Sequence, residues 1–339
     1  MLDKCYICVQ RIKTNTMTLK SIFRICLFAL LIVACKEDAK VEPEEKVATE
    51  FSYNVEQFAD IKILRYQIPG WENLSLKEQK LVYYLTEAGL AGRDIMWDQN
   101  YRHNLKIRRA LENIYTTYNG DGKFTDDWKA FETYLKRVWF SNGIHHHYSN
   151  DKLKPGFSSN YLKELLAETN TTLEGDAFNV IFNAEDSKKV NQAKGVDNVA
   201  LSAVNFYGPN VTNADVESFY KAKKSPNPEK PLSFGLNSQL VKENGILKER
   251  VYKSGGLYGE AIDEIIKWLE LAKDVAENEA QGNALGLLID YYKTGDLQTW
   301  DDYNVAWTAA TDGNIDYINS FIEVYNDPLG YRGSYESII

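Results

Sequence analysis

The sequence predicts an α+β fold, mostly helical with a minor sheet. Three observations lead there. Long segments carry apolar residues at helical spacing, while only a few short stretches alternate or run apolar as strands do. Hydrophobic residues make up 44% and aromatic residues 13% of the 339, enough to bury a core. That length suits one large domain or two ordinary ones.

The chain opens with a leader, residues 1–35. Ile25–Ala34 (ICLFALLIVA) is a ten-residue apolar run, too short to cross a bilayer core of roughly 30 Å as a helix. Lys20 and Arg24 precede it, which is the layout of a secretory signal peptide. Its end, Ile32-Val33-Ala34-Cys35, resembles the lipobox of bacterial lipoproteins. That resemblance implies lipidation at Cys35 and export, with a lipid anchor in the outer membrane or at the surface of a Gram-negative cell. Lys36-Glu37-Asp38 is similar to surface-export signals of such lipoproteins. Met17 stands just ahead of the signal, and we expect it to be the first residue translated. Residues 36–50 form an acidic tether, too polar to pack.

From residue 51 to 339 the elements follow one another. Ile61–Ile68 alternates and ends at Pro69-Gly70, which predicts a strand. Ser75 opens S-L-K-E, a capping box closed by Glu78, and a helix is expected to about Trp97 with Leu81, Leu85, Ala88 and Ile95 inward. A second helix is expected over 103–118. A third runs from Thr125 to near Gly143 with the core stripe Trp128, Phe131, Leu135, Val138 and Trp139. Further helices are predicted at 159–168, 213–223, 257–275, 278–293, 299–310 and 315–325, and strands at 199–207 and 247–252. Ser225–Leu232 (SPNPEKPL) reads as an exposed linker.

The formal charge is −9 and the pI about 5.2, so phosphate backbones are repelled and nucleic-acid binding is excluded as a general function. All four cysteines (Cys5, Cys8, Cys26, Cys35) lie in the leader, which leaves the rest without a disulfide framework or a cysteine zinc site. The histidines are His103, His145, His146 and His147, and no H-E-x-x-H occurs. Consecutive side chains diverge on a strand or a helix, so the triple histidine is not arranged to share one ion and reads as a loop cluster near a cleft. No G-x-S-x-G elbow, P-loop or dinucleotide fingerprint is present. Gly255-Gly256 and Gly259 read as a tight turn opening a helix. Asp126-Asp127 and Asp301-Asp302 read as first-turn acidic pairs favoured by the helix dipole.

Phe321–Tyr335 reads FIEVYNDPLGYRGSY. It resembles the F-I-E-x-Y-x-D-P-x-G-x-R stretch of dipeptidyl peptidase III enzymes. The likeness extends back through Asn304–Asn326, Ala276–Gly295, Phe131–Lys154 and Leu74–Asp98. Gly89–Ala110 and Trp139–Asp151, with the triple histidine, are similar to the bacterial branch. It covers the chain from about Phe51 onward. The resemblance implies a two-lobed zinc peptidase with a wide cleft. The residues here would supply most of the lower lobe, helices with a partial small β-barrel. The upper lobe of that family carries zinc on H-E-x-x-G-H or H-E-x-x-x-H with a later glutamate, and those residues have no counterpart in this sequence. The expectation is therefore an N-terminal portion that binds no zinc by itself and awaits a missing upper lobe.

By position in the motif, Glu323 corresponds to the glutamate that pairs with a substrate's free amino terminus. Tyr325 corresponds to the tyrosine whose phenol hydrogen-bonds the scissile carbonyl and its oxyanion. Asp327, Gly330 and Arg332 are expected to fix the turn, and His147 and Tyr148 to contact substrate. The implied partners are small peptides, which lose dipeptides from their N-termini to the complete zinc enzyme. Two other readings compete: a non-catalytic peptide-binding lipoprotein, and a non-functional gene fragment left with an open sheet edge.

Overall fold

The computed structural model describes residues 51–339 apart from residue 184. The leader, the Cys5/Cys8 pair, Cys35 and the acidic tether lie outside the described residues. Ser52–Ile339 forms one unit.

It begins with an antiparallel hairpin of β1 (Asn54–Phe58) and β2 (Ile61–Leu64). The strand expected over 61–68 therefore ends at Leu64, where its partner β1 runs out. Helix α1 (Leu76–Ala91) starts at the expected capping box: Glu78 N donates to Ser75 Oγ at 3.3 Å and Ser75 N to Glu78 Oε2 at 2.6 Å. The single helix expected to residue 97 is interrupted at Gly92, and α2 (Arg93–Asn100) follows. A Cβ on Gly92 would lie 2.0 Å from Tyr335 Cζ, so the break sits where the Tyr335 ring packs against the helix backbone.

Helices α3 (Asn104–Thr117) and α4 (Asp126–Ser141) match expectation, and Thr125 caps α4 through Trp128 N. Next come α5 (Ser159–Glu168), the seven-residue α6 (Asp176–Phe182), too short to show a period, and α7 (Asn213–Lys221). Strands β3 (Ser238–Glu243) and β4 (Ile246–Val251) form a second hairpin, turned at Asn244-Gly245, where both residues have positive φ. Gly255, with φ +65°, makes the tight turn ahead of α8 (Gly259–Asp274). Helices α9 (Glu279–Thr294) and α10 (Leu297–Ala309) lead to a third hairpin, β5 (Ile318–Phe321) with β6 (Tyr335–Ile338). Among the described residues the sheets are three separate two-stranded antiparallel ribbons.

Three expectations are corrected. Residues 199–207 form no ladder strand: Ala203 N and Val204 N bond Lys188 O and Lys189 O, while Asn205 N bonds Gln99 O, so the segment divides its amides between neighbours. Residues 315–325 hold β5 and an irregular loop instead of a helix. The apolar residues there pack outward from an extended backbone onto α9 and β6, and tertiary contact overrides the local pattern. Asp301-Asp302 lie beyond the first turn of α10, which Asp296 caps through Thr299 N at 2.8 Å.

Two large apolar clusters form the core. One gathers α2 to α6 around Ile107, Phe131, Leu135 and Leu162. The other gathers α1, α8, α9, α10, β5 and β6 around Leu85, Ile265, Leu288, Tyr292 and Phe321. A smaller third cluster centres on Val216, Tyr220 and Leu240.

Candidate functional site

The β5–β6 ribbon carries the motif residues. Phe321, fully buried, pins the end of β5 with ring centroids 4.8 Å from Tyr252 and 5.9 Å from Tyr335. Beyond it, Ile322 N donates to Ser334 O and Ser334 N to Glu323 O, both at 2.9 Å. Two residues on one strand thus share one partner on the other, the arrangement of a β-bulge, which re-aims the side chains next to it. Gly333 permits this approach, because a Cβ there would lie 2.6 Å from the Phe321 carbonyl carbon.

Glu323 and Tyr325 emerge from this bulge, both exposed, with part-buried Val324 between them packed on the core. Tyr325 is 63% exposed. Burial, then the charges of Glu336 and Glu323, raise its phenol above the ordinary tyrosine value. Glu336, on β6 opposite Ser320, is itself raised by burial and by the Glu323 charge. A phenol flanked by two carboxylates therefore faces solvent. Sequence reasoning missed Glu336 because β6 was not recognised; the sole signal was its place in Y-E-S-I-I after the motif.

The ribbon is held from behind. Gln99 of α2 donates to Gly333 O at 3.1 Å and accepts from Tyr335 N at 2.8 Å, so its amide stands in for a strand partner. Asn319 donates to the Tyr335 hydroxyl (3.2 Å) and Ser337 Oγ (3.3 Å), and accepts from the Tyr292 hydroxyl (2.7 Å). All of these groups but Ser337 are buried, where an unmet partner costs about 1–3 kcal/mol.

His147 and Tyr148 lie elsewhere, in the turn closed by Leu153 N to Ile144 O (2.8 Å) and His146 N to Asp151 O (2.7 Å). They line a cavity of about 340 Å³ with Asp60, Lys62, Arg137 and Phe140. Glu323, Tyr325 and Glu336 are not among its walls. The imidazole of His147 is 4.4 Å from that of His146 and 4.3 Å from the Tyr148 ring. His145 is buried, with Nε2 3.0 Å from Ser187 O, and burial holds its pKa down to about 4. His146 Nδ1 accepts from Tyr148 N and Ser149 N. His103 precedes α3 beside Tyr101. The histidines do not fit a zinc site: one is turned to a carbonyl, one is spent on amides, and among the described residues no three His, Cys, Asp or Glu side chains gather to hold a metal. No described helix is long and apolar enough to cross a membrane.

Residues 234–339, which include Glu323, Tyr325 and Glu336, match the model of peptidase family M49. Dipeptidyl peptidase 3 of Dictyostelium discoideum is 22% identical over 302 residues, covering 81% of this chain and 43% of the relative. The human dipeptidyl peptidase 3 is 29% identical over 84 residues, 25% of this chain and 11% of the relative. The structure of dipeptidyl peptidase III from Caldithrix abyssi superposes with TM-score 0.53 at 21% identity, over 79% of this chain and 40% of that one. That from Corallococcus sp. strain EGB gives 0.52 at 15%, over 80% and 40%. The chain thus spans less than half the length of these relatives, and its mostly helical fold with small antiparallel ribbons is shared with part of each of these two structures. The segment that builds this site thus matches the model of peptidase family M49, and the chain resembles the dipeptidyl peptidase 3 relatives along most of its length.

Proposed function

We propose that the Glu323–Tyr325–Glu336 cluster is the part of a dipeptidyl peptidase that holds a peptide's free amino terminus and polarises the carbonyl two residues on. The observation that carries this is a solvent-facing phenol flanked by two carboxylates on a rigidly backed ribbon. An ammonium group pairs with such carboxylates through charge-assisted hydrogen bonds. The Tyr325 hydroxyl donates to the carbonyl oxygen of the bound peptide. Removing one donor of that kind costs on the order of 100-fold in rate. His147 and Tyr148 are proposed as more distant substrate contacts.

Zinc supplies a Lewis acid and an activated water to the complete enzymes of this metallopeptidase family. The described residues do not fit it, so the chemistry proposed for this chain is recognition and polarisation. Dipeptide hydrolysis belongs to the proposal for the assembled enzyme. The non-catalytic peptide-binding reading shares the same amine site and differs in lacking the hydrolytic step.

Calorimetric titration of the chain with a tetrapeptide tests the site. The free-amine peptide should bind, its N-acetylated form should not, and Glu323→Gln should weaken binding at least tenfold. Equal affinity for both peptides, or an unaffected variant, would overturn the reading. Zinc-dependent release of dipeptides from a chromogenic substrate then separates enzyme from binder.

The Ile32-Val33-Ala34-Cys35 sequence supports export and lipid anchoring at Cys35 as a second proposal. Detergent-phase partitioning checks it: the wild type should enter the detergent phase and Cys35→Ser should stay in the aqueous phase.

A further inference from the structure

Behind the amine site lies a buried ionic chain that the proposed recognition does not itself use. The loop between Val324 and Tyr331 is folded around the side chain of Asp327, which is 3% exposed. Its carboxylate accepts from the amides of Leu329 (3.1 Å), Tyr331 (2.8 Å) and Arg332 (2.9 Å). The loop's own backbone closes the turn, with Asp327 N donating to Val324 O at 3.0 Å and Gly330 N to Asp327 O at 3.1 Å. Arg332, with no exposed surface, lies 3.9 Å from the same carboxylate, too far for a direct hydrogen bond.

The group that joins the two charges comes from a distant segment. The Tyr207 hydroxyl donates to Asp327 at 2.8 and 2.9 Å and accepts from Arg332 Nη1 at 3.0 Å. The Arg332 guanidinium carbon sits 4.4 Å from the Tyr207 ring centroid and 5.1 Å from that of Tyr220. Arg332 Nη2 donates to the Tyr220 hydroxyl, which donates to Glu249, and Glu249 is paired with Lys223. A carboxylate and a guanidinium removed from water are stable only when their remaining hydrogen bonds are met. The Tyr207 hydroxyl meets one on each.

We infer that Tyr207 is a positioning residue of the amine site: through Asp327 and Arg332 it fixes the loop that sets the Tyr325 phenol and the Glu323 carboxylate. This rests on the amine-site reading. Tyr325 stands two residues before Asp327, on a loop that this buried network anchors toward the α7 and β3–β4 side. Without the hydroxyl, Asp327 keeps its three amides while Arg332 Nη1 loses its acceptor. The loop then gains freedom locally and the core is left filled by the phenyl ring.

Two measurements on the full chain test it with Tyr207→Phe. Amide hydrogen exchange should rise at least tenfold at Leu329, Tyr331 and Arg332 while rates in α4 stay unchanged. Affinity for the free-amine tetrapeptide should fall at least fivefold. Unchanged exchange in the loop overturns the inference. So does exchange raised equally in α4, which marks a general loss of stability, and so does a loosened loop with affinity intact. If the wild type binds no free-amine peptide, the amine-site reading fails, and the exchange result alone then judges whether Tyr207 fixes the loop.

Discussion

Glu323 and Tyr325 share a face because an extended backbone sends alternate side chains to the same side. Val324 between them turns inward onto the apolar cluster, so the pair is committed to solvent. Glu336 completes the group from the opposite strand. Burial and the Glu323 charge hold its pKa above the ordinary 4.5 of a glutamate. As pH falls Glu336 takes its proton above that value, and the attraction for an ammonium weakens from that point. Affinity for a free-amine peptide should therefore begin to fall above pH 4.5, and Glu336→Gln should flatten that limb. A calorimetric pH series that stays level down to 4.5 in the wild type would contradict this.

The ribbon's position is decided by two glycines. Gly89 in the last turn of α1 and Gly92 just beyond its end leave room for Ser337 Oγ and the Tyr335 ring, which a Cβ would meet at 2.5 Å and 2.0 Å respectively. The Tyr335 hydroxyl in return donates to Ala88 O at 3.2 Å. Gly92→Ala should push the ring outward and strain the start of β6, costing about 1–3 kcal/mol as overpacking does. It should also weaken peptide binding, because Glu336 follows Tyr335 directly. Thermal unfolding measures the first effect and titration the second. A variant as stable as wild type would show that the helix shifts to accommodate the methyl group.

At the scale of the molecule, α2 belongs to both large clusters, giving Ile95 to one and Trp97 to the other. Gln99 at its end ties that junction to the site ribbon and, through its carbonyl, to Asn205. Gln99→Ala strands Gly333 O and Tyr335 N in a dry interior, and two unmet groups predict a loss of about 2–5 kcal/mol. Chemical denaturation should show this as a lower midpoint with the slope unchanged. A loss under about 0.5 kcal/mol, the range of ordinary surface substitutions, would mean that water replaces the amide.

Much of the fold was legible in the sequence, and for a local reason. Helices announce themselves within one segment: the Ser75–Glu78 capping box, the Thr125 cap and the Trp128–Val138 stripe all stand where the spacing put them. The F-I-E-x-Y-x-D-P-x-G-x-R motif likewise pointed to the family whose model matches residues 234–339, and it contains Glu323 and Tyr325, two of the three residues of the cluster. Strand pairing was not legible, because a strand's partner lies far along the chain and its hydrogen bonds leave no mark on neighbouring residues. So β1, β3, β5 and β6 appeared only in the tertiary structure, and the apolar run at 315–325 was misread as helix. Glu336 was hidden with β6, and the Tyr207–Asp327–Arg332 chain joins residues more than a hundred positions apart. Local spacing determined the helices and the motif. Long-range pairing, which only the folded chain can satisfy, decided where that motif points and what holds it there.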